Sequence, residues 1–452
     1  MNITTLKNVF FIGIGGIGMS AIARYFHRLG KNVAGYDKTR THLTDELEAE
    51  GIVIHFEDDL NLIDKPFLNK EETLVVITPA IPKNHSEWNY FIQNNFEIKK
   101  RAEVLGLITE NSFCFAVSGT HGKTTTSSML AHILFQNKVD VTSFLGGVLE
   151  NYNSNLVGEG KTVTVVEADE FDRSFLHLHP NIACVISNDA DHLDIYGTND
   201  AIKESFREFA DKISDKNDLF VASNVAIEGT KVGINVSADI VAENLRIENG
   251  MRVFDLKFKD ELISDIHLQM PGEHNVLNAS LAISMARKYG LSAEDIKSAL
   301  ATFSGVRRRF SFKVRNEDCV YIDDYAHHPT EINAVYSAVR ELYPNKKIVA
   351  FFQPHLFSRT NDFMDDFAAS LSQFDEIYLL DIYPARELPM EGVTSEVLIA
   401  KISNENKQLI SKDELMKFVS ETEEEILVTI GAGDIGEMVD DIKEVLEKRR
   451  KK

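Results

Sequence analysis

Short apolar runs alternate with amphipathic stretches through the first hundred residues of the chain. The runs 8–14, 32–37 and 73–80 have the length and composition of buried strands, and 16–30 and 85–95 have the pattern of amphipathic helices. Strands that alternate with helices in this way are typical of a parallel sheet with crossover helices. We therefore predict an α/β unit at the start of the chain.

The same alternation begins again at 113–138, where a strand-like run, a glycine-rich loop and a helix-like run follow one another. More strand-like runs come after it, at 162–169, 182–188 and 218–224. Residues 232–270 hold shorter alternating runs, which predict a small antiparallel patch. A later helix-like segment starts after Ser292, a residue type that caps helix N-termini.

A third alternating unit starts near residue 319. Its strand-like runs are followed by polar residues and separated by helix-like segments, and they lie within 319–329, 346–354, 376–384 and 425–433. The chain of 452 residues is long enough for about three domains. We predict an α/β protein with domains at 1–110, 111–311 and 312–452.

Net charge, the length of apolar runs and the cysteines limit which binding partners and which cellular location are expected. The net charge of −22 argues against non-specific binding to nucleic acid or to an anionic membrane. The chain has no run of about 18 apolar residues, so no membrane-spanning segment is expected. Cys114, Cys184 and Cys319 are far apart and lie in apolar runs, which predicts buried reduced thiols and a cytoplasmic protein.

A glycine-rich loop follows the first strand-like run. Gly13, Gly15 and Gly18 have the spacing G-x-G-x-x-G, with Gly16 and Ile17 between them, and Asp37 ends the next strand-like run 19 residues later. This arrangement suits a diphosphate at a helix N-terminus. Taken alone, it predicts a nicotinamide-dependent oxidoreductase.

The second glycine-rich loop has a different chemistry. It consists of Gly119, Thr120, His121, Gly122, Lys123, Thr124 and Thr125. The strict pattern G-x-x-x-x-G-K-[ST] fails because Val117 stands where its first glycine belongs. The loop still joins a strand to a helix that begins with Lys123 and Thr124. We predict that backbone N–H groups and Lys123 bind phosphates and that the Thr124 hydroxyl binds Mg²⁺.

Acidic residues follow two strand-like runs of the same unit. The first cluster contains Glu167, Asp169, Glu170 and Asp172, and the second contains Asp189, Asp191, His192 and Asp194. The carboxyl ends of parallel strands meet at one edge of a sheet, where the phosphate loop also lies. Carboxylates beside a triphosphate indicate bound Mg²⁺.

Three polar stretches mark the third unit. Residues 305–310 contain three arginines, which form either a solvated turn or a phosphate clamp. Residues 323–329 contain two Asp and two His, which raises metal binding as an alternative, but the spacing of His327 and His328 points the two rings in different directions. Residues 352–360 add His355 and Arg359, and the arginine is a candidate partner for a carboxylate.

Together these stretches resemble the Mur ligases of peptidoglycan synthesis. The motifs in chain order are GIGGIGMSAIA, RAEVL, GTHGKTTT, EADEFDRSFLHL, NDADHLDIYG, GEHNVLNA, GVRRRF, DDYAHHPTEI, FQPHLFSRT, DIYPARE and GAGDIG. Within the family, the chain is most similar to the branch that adds L-alanine to UDP-N-acetylmuramate. The resemblance implies a Rossmann-like first domain for the UDP-sugar, a central P-loop-type ATPase domain, and a Rossmann-like last domain for the amino acid.

The resemblance also implies roles for single residues. The UDP-sugar would contact Gly15, Gly16, Ile17, Gly18, Asp37 and Arg101. ATP would contact Gly119, Thr120, His121, Gly122, Lys123, Thr124, Thr125, Asn278, Arg309 and Asp324. The amino acid or the muramoyl carboxylate would contact Tyr325, His327, His355 and Arg359. Two Mg²⁺ ions would take Thr124, Glu167 and His192, and the implied catalytic set is Lys123, His192, Glu167, Arg359 and His327.

Two positions depart from the family pattern. Several Mur ligases carry a carbamylated lysine that helps to bind the second Mg²⁺, and Phe206 stands at that place. The alanine-adding branch also lacks this lysine, so Phe206 agrees with the assignment. Relatives often have Arg directly after the histidine of the Q-P-H motif, where this chain has Leu356.

Three alternatives stay open at this point. An oxidoreductase would explain the first glycine loop but not the G-K-T-T loop or the third unit. A noncatalytic nucleotide-binding switch would need no amino-acid site. A recycling ligase that attaches an intact tripeptide to the same sugar nucleotide shares the motifs of the first two domains. We expect a monomer or a weak homodimer.

Overall fold

The structure is a computed structural model that describes residues 6–78, 81–189, 196, 198–248, 250–385 and 387–448, with only the backbone described at 172 and 199. Within these ranges the strands form three sheets. Each sheet corresponds to one of the three alternating units, so the predicted α/β class is confirmed.

The first sheet is parallel, in the order β3-β2-β1-β4-β5. Its strands are β1 (Asn8–Ile12), β2 (Asn32–Tyr36), β3 (Val53–His55), β4 (Thr73–Ile77) and β5 (Glu97–Lys100). Its helices are α1 (Ile17–Arg28), α2 (His42–Ala49), α3 (Ser86–Gln93) and α4 (Arg101–Glu110), with 3₁₀ turns at Leu60–Leu62 and Lys65–Leu68. Helix α1 forms because Met19, Ile22, Ala23 and Phe26 recur at helical spacing and are all buried.

The second sheet has the order β15-β14-β13-β12-β11-β10-β6-β9-β7-β8. Its strands are β6 (Phe113–Ser118), β7 (Val141–Leu149), β8 (Ser154–Val157), β9 (Val163–Ala168), β10 (Ile182–Val185), β11 (Leu219–Ala222), β12 (Thr230–Ile234), β13 (Ile240–Glu248), β14 (Met251–Lys257) and β15 (Leu262–Leu268). Its helices are α5 (Lys123–Gln136), α6 (Asn199–Ala210), α7 (Glu273–Tyr289) and α8 (Ala293–Leu300), with 3₁₀ segments at Phe171–His177 and Lys216–Asp218.

The prediction for residues 232–270 was wrong in one respect. Strands β12 and β13 pair in parallel, with Val232 opposite Ile240, and the region extends the central sheet. Short alternating runs do not fix strand direction, because the period of two is the same in both pairings. The predicted cap at Ser292 is confirmed, since its hydroxyl accepts from the N–H of Asp295 at 3.1 Å.

The third sheet has the order β16-β17-β21-β18-β19-β20, parallel apart from the edge strand β16. Its strands are β16 (Ser311–Arg315), β17 (Val320–Asp324), β18 (Ile348–Phe352), β19 (Glu376–Leu379), β20 (Lys407–Leu409) and β21 (Ile426–Ile430). Its helices are α9 (Pro329–Leu342), α10 (Phe357–Asp362), α11 (Met364–Leu371), α12 (Ser395–Lys401), α13 (Lys412–Glu421) and α14 (Val439–Lys448), with a 3₁₀ segment at Asp434–Met438.

The chain divides into two compact units. The first comprises Met1–Glu243, Asp255–Ile266 and Leu277–Phe303, and the second comprises Asn244–Phe254, His267–Val276 and Ser304–Lys452. The first unit therefore holds the first sheet and most of the second. In the described part of the chain, no helix is long and apolar enough to cross a bilayer. Cys114 and Cys184 are fully buried, and burial raises the pKa of each thiol to about 12.

Candidate active site

The second glycine loop joins β6 to α5 with the geometry of a phosphate-binding turn. Gly122 has φ of +81° and precedes the first residue of α5. A Cβ at this position would lie 2.6 Å from Oδ1 of Asn278, so the turn needs glycine for both its backbone and its space. A helix N-terminus that follows such a turn has the geometry that suits a bound anion.

The loop is tied to the end of the neighbouring strand β10 by Ser187. The Ser187 hydroxyl lies 2.9 Å from the Thr120 hydroxyl and accepts from the N–H of His121 at 2.9 Å. The Thr120 hydroxyl in turn accepts from the N–H of Asp189 at 3.2 Å. Thr125 is buried in the first turn of α5. These bonds fix the loop backbone before any ligand binds.

Lys123 points back across the loop. Its Nζ donates to the carbonyl oxygen of Gly119 at 2.7 Å and to Oε2 of Glu170 at 2.6 Å. Burial acts to lower the pKa of Lys123, but Glu170, Asp169 and Glu167 together raise it above the ordinary lysine value. The ammonium group is therefore held charged at the place where phosphates would lie.

Glu167 is the penultimate residue of β9 and lies beside the same loop. Its Oε2 accepts from the Thr124 hydroxyl at 3.1 Å, and its Oε1 accepts from Ser127 at 3.3 Å and from the N–H of Gly146 at 2.5 Å. A side chain at Gly146 would collide with the carboxylate. A hydroxyl and a carboxylate oxygen at this distance are the hard oxygen ligands that Mg²⁺ prefers, so the donor set fits that ion.

The first glycine loop presents the N-terminus of α1. Gly16 is the N-cap, Ile17 is the first helical residue, and the N–H of Gly15 donates to Oδ2 of Asp37 at 2.7 Å. Asp37 also accepts from the N–H of Thr39 at 3.1 Å. Both carboxylate oxygens of Asp37 thus hold backbone, and one of them holds the glycine loop itself.

Arg101 lies against the start of α1. A Cβ at Gly18 would be 2.8 Å from Nη1 of Arg101, and Nη2 of Arg101 lies 3.4 Å from Oδ2 of Asp169. Asp169 belongs to the same acidic cluster as Glu167. Arg101 therefore bridges the first glycine loop and the acidic end of β9.

A cavity of about 320 Å³ unites these groups. Its walls include the α1 N-terminus at Gly16 and Gly18, together with Arg101, Gly146 and Glu167. Four of the six predicted UDP-sugar residues, Gly16, Ile17, Gly18 and Arg101, thus face one space with the predicted metal carboxylate, whereas Gly15 and Asp37 are not among the lining residues. Thr124 belongs to the phosphate loop and contacts Glu167, so the phosphate loop lies next to this cavity.

Of two further residues predicted to bind ligands in the first unit, the structure describes Asn278 but not His192. Asn278 is buried on α7 with its Oδ1 beside Gly122, so it adjoins the phosphate loop. His192 lies outside the described residues, as do Asp191 and Asp194. Among the described residues, no group of three or more His, Cys, Asp or Glu side chains has a metal-binding arrangement.

In the second unit, cationic and aromatic side chains contact one another in series. The guanidinium carbons of Arg308 and Arg309 lie 5.1 and 5.3 Å from the centre of the Tyr325 ring. Tyr325 meets the His327 ring edge-on at 5.4 Å. His327 meets the His355 ring at 6.1 Å, so four predicted residues are joined in one series of contacts.

Two buried carboxylates, Asp323 and Asp324, lie next to these side chains. Asp324 accepts from the N–H groups of Phe310 at 2.6 Å and Ala326 at 2.7 Å. Burial raises the pKa of Asp324 to about 6, although Arg309 opposes the shift. Burial likewise raises the pKa of Asp323, against the opposing effect of Arg308 at 3.2 Å. Both carboxylate oxygens of Asp324 thus accept from backbone N–H groups, and the sequence did not predict these bonds.

Arg359 and Leu356 complete the second group. Arg359 is buried on α10, with Nη1 3.5 Å from Nδ1 of His355, and His355 stacks on Tyr383 at 5.8 Å. Leu356 has φ of +71°, and its N–H donates to the carbonyl oxygen of Tyr383 at 3.0 Å. A β-branched or large residue is strained in this region, so the backbone here is held by its surroundings.

Phe206, which the resemblance places where several Mur ligases carry a modified lysine, is a core residue in this structure. It is fully buried on α6, and its ring meets Phe175 edge-on at 5.5 Å. Phe175 stacks on Phe209 at 5.0 Å. This helix face is therefore apolar where it meets the 3₁₀ segment that follows the acidic cluster.

Sequence reasoning missed several groups of the site. Gly146, Ser127 and Ser187 touch the predicted residues but belong to no motif quoted for the site. Each lies in a strand, a helix or a strand end whose local pattern is apolar or small. Only the position of Ser187 at a strand's carboxyl end gave a signal, since ligand sites gather there in open parallel sheets.

The chain matches family models over three successive ranges. Residues 8–112 match "Mur ligase family, catalytic domain", residues 117–286 match "Mur ligase middle domain", and residues 308–434 match "Mur ligase, glutamate ligase domain". Their order is that of the three sheets.

Curated relatives match along the full length. A UDP-N-acetylmuramate–L-alanine ligase of Flavobacterium psychrophilum is 63% identical over 449 residues, covering 99% of this chain and 100% of the relative. A protein of the same name from Flavobacterium johnsoniae is 60% identical over 446 residues, covering 99% of each.

Solved structures share the fold. The crystal structure of UDP-N-acetylmuramate–alanine ligase MurC from Thermotoga maritima has a TM-score of 0.82 at 27% identity, covering 98% of this chain and 99% of that one. A murein peptide ligase from Psychrobacter arcticus has a TM-score of 0.72 at 23% identity over 97% and 98%, which shows the fold alone. With three family models in order and full-length relatives above half identity, the chain belongs to the Mur ligase family.

Proposed function

We propose that this chain is an ATP-dependent ligase that joins L-alanine to the lactyl carboxylate of UDP-N-acetylmuramate in peptidoglycan precursor synthesis. The observation that carries the proposal is the cavity shared by the α1 N-terminus, Arg101 and Glu167. Glu167 contacts Thr124 of the phosphate loop, so a sugar nucleotide and ATP would meet at one carboxylate. The names of the full-length relatives support the same activity.

The UDP-sugar would bind through its diphosphate. The N-terminus of α1 offers backbone N–H groups and a partial positive charge, and Arg101 adds a cation beside Gly18. The muramoyl group would then extend along the cavity toward Glu167. Asp37 would act on this ligand through the loop it holds and at most touch the uridine side.

ATP would bind at the second glycine loop, with Lys123 on its β- and γ-phosphates and Asn278 toward the adenine. Thr124 and Glu167 would hold one Mg²⁺, and His192 would hold a second near the acyl phosphate. Bound Mg²⁺ neutralises phosphate charge and orients the γ-phosphoryl group.

The reaction has two balanced steps. An oxygen of the lactyl carboxylate attacks the γ-phosphorus, the bond to the β–γ bridging oxygen breaks, and ADP leaves. The ammonium group of alanine loses one proton to water, and the resulting amine attacks the carbonyl carbon of the acyl phosphate. Inorganic phosphate leaves, and a second proton passes from the nitrogen to water as the amide forms. Lys123 stabilises charge on the phosphoryl group in the first step, while the cavity walls hold the carboxylate in line.

The second unit would supply the amino-acid and remaining nucleotide contacts. We assign Arg359 to the carboxylate of alanine, and Tyr325, His327 and His355 to its surroundings. Arg309 would meet the phosphates. Asp324 would act on the ribose side through the turn that it holds. The proposal also includes domains at 1–110, 111–311 and 312–452, a cytoplasmic location, and a monomer or weak homodimer.

The test is a phosphate-release assay with ATP, Mg²⁺ and UDP-N-acetylmuramate. We expect L-alanine to support faster release than L-serine, glycine or an L-Ala-γ-D-Glu-diaminopimelate tripeptide, and release to require the sugar nucleotide. Faster release with the tripeptide would contradict the proposal in favour of a recycling ligase. Release of phosphate without either co-substrate would favour a nucleotide switch.

A further inference from the structure

Asn155 joins strand β8 to the first turn of α1, although no motif marks it. It lies on β8, is fully buried, and reaches the first turn of α1 across 138 residues of sequence. Its Nδ2 donates to the carbonyl oxygen of Ile17 at 2.6 Å and to the hydroxyl of Ser20 at 2.9 Å. Its Oδ1 accepts from Nη1 of Arg24 at 2.5 Å.

The orientation of this amide is set by its partners. A guanidinium group only donates and a carbonyl only accepts, so Oδ1 must face Arg24 and Nδ2 must face Ile17. Ser20 donates to the carbonyl of Ile17 at 2.9 Å, which leaves its oxygen to accept from Asn155. Every donor of the amide is therefore used, and the bonds lie in a buried place where their loss is costly.

Arg24 anchors the other side of the contact. It is buried, its Nε donates to Glu50 at 2.8 Å, and its Nη2 donates to Glu46 at 3.0 Å. Glu46 lies on α2 and Glu50 directly follows it. Asn155 thus contacts a helix that Arg24 already ties to α2.

The strand pair that carries Asn155 also touches the metal carboxylate. Strand β8 pairs with β7, with Leu156 opposite Phe144, and β7 pairs with β9, with Phe144 opposite Val166. Gly146, two residues beyond Phe144, donates its N–H to Glu167. The pair β7–β8 therefore contacts both the first turn of α1, through Asn155, and Glu167, through Gly146, in the stretch where its register shifts between Phe144 and Leu149.

We propose that Asn155 is a positioning residue that sets the distance between the diphosphate-binding end of α1 and Glu167. This inference rests on the proposed function, because it assumes that a sugar nucleotide spans the cavity between them. A shift of the helix by about 1 Å would move the lactyl carboxylate off the line to the γ-phosphorus, and such a shift can lower the rate on the order of 100-fold.

The informative variant is Asn155→Asp. It keeps an oxygen for Arg24 and nearly the same volume, but it removes both N–H donors to the first turn of α1. The matched control is Asn8→Asp, which alters another buried amide with bonds to Pro66 and Asn32 at the far end of β1. Both changes disturb a buried hydrogen-bonded Asn in the same unit.

We would measure kcat and KM for UDP-N-acetylmuramate and ATP, the Kd of each nucleotide by calorimetry, and Tm. For Asn155→Asp we expect kcat/KM for the sugar nucleotide to fall about 10- to 100-fold, with the Kd of a non-hydrolysable ATP analogue within twofold. For Asn8→Asp we expect a lower Tm and unchanged sugar-nucleotide constants. Ser20→Ala, which removes one of the two acceptors, should shift the same constant in the same direction by about threefold.

Equal loss of the sugar-nucleotide and ATP constants in Asn155→Asp would overturn the inference, as would a loss no greater than that of Asn8→Asp. If Asn155→Asp does not fold, Ser20→Ala decides, and unchanged sugar-nucleotide constants there overturn it. Failure of the proposed function is visible separately, since the unaltered protein would then release no phosphate with UDP-N-acetylmuramate and alanine.

Discussion

The loop at 13–18 and the loop at 119–124 both run from a parallel strand into the N-terminus of a helix. Around the first, the groups are backbone N–H, Arg101 and the carboxylate of Asp37, which holds Gly15. Around the second, Lys123 and Thr124 begin the helix and Glu167 contacts the Thr124 hydroxyl. The first can bind a diphosphate, whereas the second can also carry a metal and stabilise a transferring phosphoryl group.

The difference explains why the glycine pattern alone misleads. Glycines report that backbone must approach a ligand closely, and they do so for a UDP-sugar as they do for a dinucleotide. The chemistry is decided by the one or two side chains that follow the last glycine. Met19 follows Gly18 in the first loop and Lys123 follows Gly122 in the second.

The largest effect should come from Lys123→Ala. The phosphoryl group would lose the charged donor that faces it, so we expect kcat to fall on the order of 1,000-fold or more in the phosphate-release assay. The control is Lys297→Ala, which removes a lysine on α8 and should leave turnover near normal. If Lys123→Ala keeps more than about a tenth of the unaltered rate, Lys123 does not stabilise the transferring phosphoryl group, and the proposed difference between the two loops is wrong.

A smaller and selective effect should follow from added methyl groups at the two loops. Gly18→Ala would push Arg101 off the α1 N-terminus, so we expect KM for UDP-N-acetylmuramate to rise about 10- to 100-fold with KM for ATP unchanged. Gly122→Ala would strain the turn at positive φ and meet Asn278, and we expect it to raise KM for ATP instead. The measurement is steady-state kinetics with each substrate varied in turn, and a crossed or shared effect would contradict the assignment.

The smallest effect concerns how the two helices are anchored. Helix α1 is held by Arg24, whereas α5 is held by His132, whose Nε2 lies 3.0 Å from the carbonyl oxygen of Ala299 and whose Nδ1 accepts from Tyr152 at 2.7 Å. Burial lowers the pKa of His132, although the bond to Ala299 opposes the shift. The unfolded chain then binds this proton more readily than the folded protein, so stability is lost as pH falls below the ordinary histidine range.

His132→Gln should therefore flatten the fall of Tm between pH 7 and pH 5, while lowering Tm at pH 7 by a few degrees. His179→Gln, at an exposed site before β10, serves as the control and should leave the slope unchanged. A slope that His132→Gln does not alter would mean that other groups dominate the acid sensitivity of the first unit.

Much of the fold was predictable because its signals are local. The runs that became β1, β6 and β17, the glycine loops and the cap at Ser292 are each set by neighbours in sequence. The pairing of β12 with β13 was not, since strand direction depends on the whole sheet. The contacts of Asn155 and Gly146 with α1 and Glu167 were also hidden, because they join residues 138 and 21 positions apart. The roles assigned to single site residues remain predictions.

Phe206 has a consequence for the conditions under which the protein works. Carbamylation requires an uncharged lysine amine and dissolved carbon dioxide, and a phenyl ring in the core offers carbon dioxide no atom to react with. Maturation of this active site therefore requires no carbon dioxide at this position. The rate should be the same in bicarbonate-stripped and bicarbonate-supplemented buffer, which would separate this ligase from relatives that depend on the modified lysine.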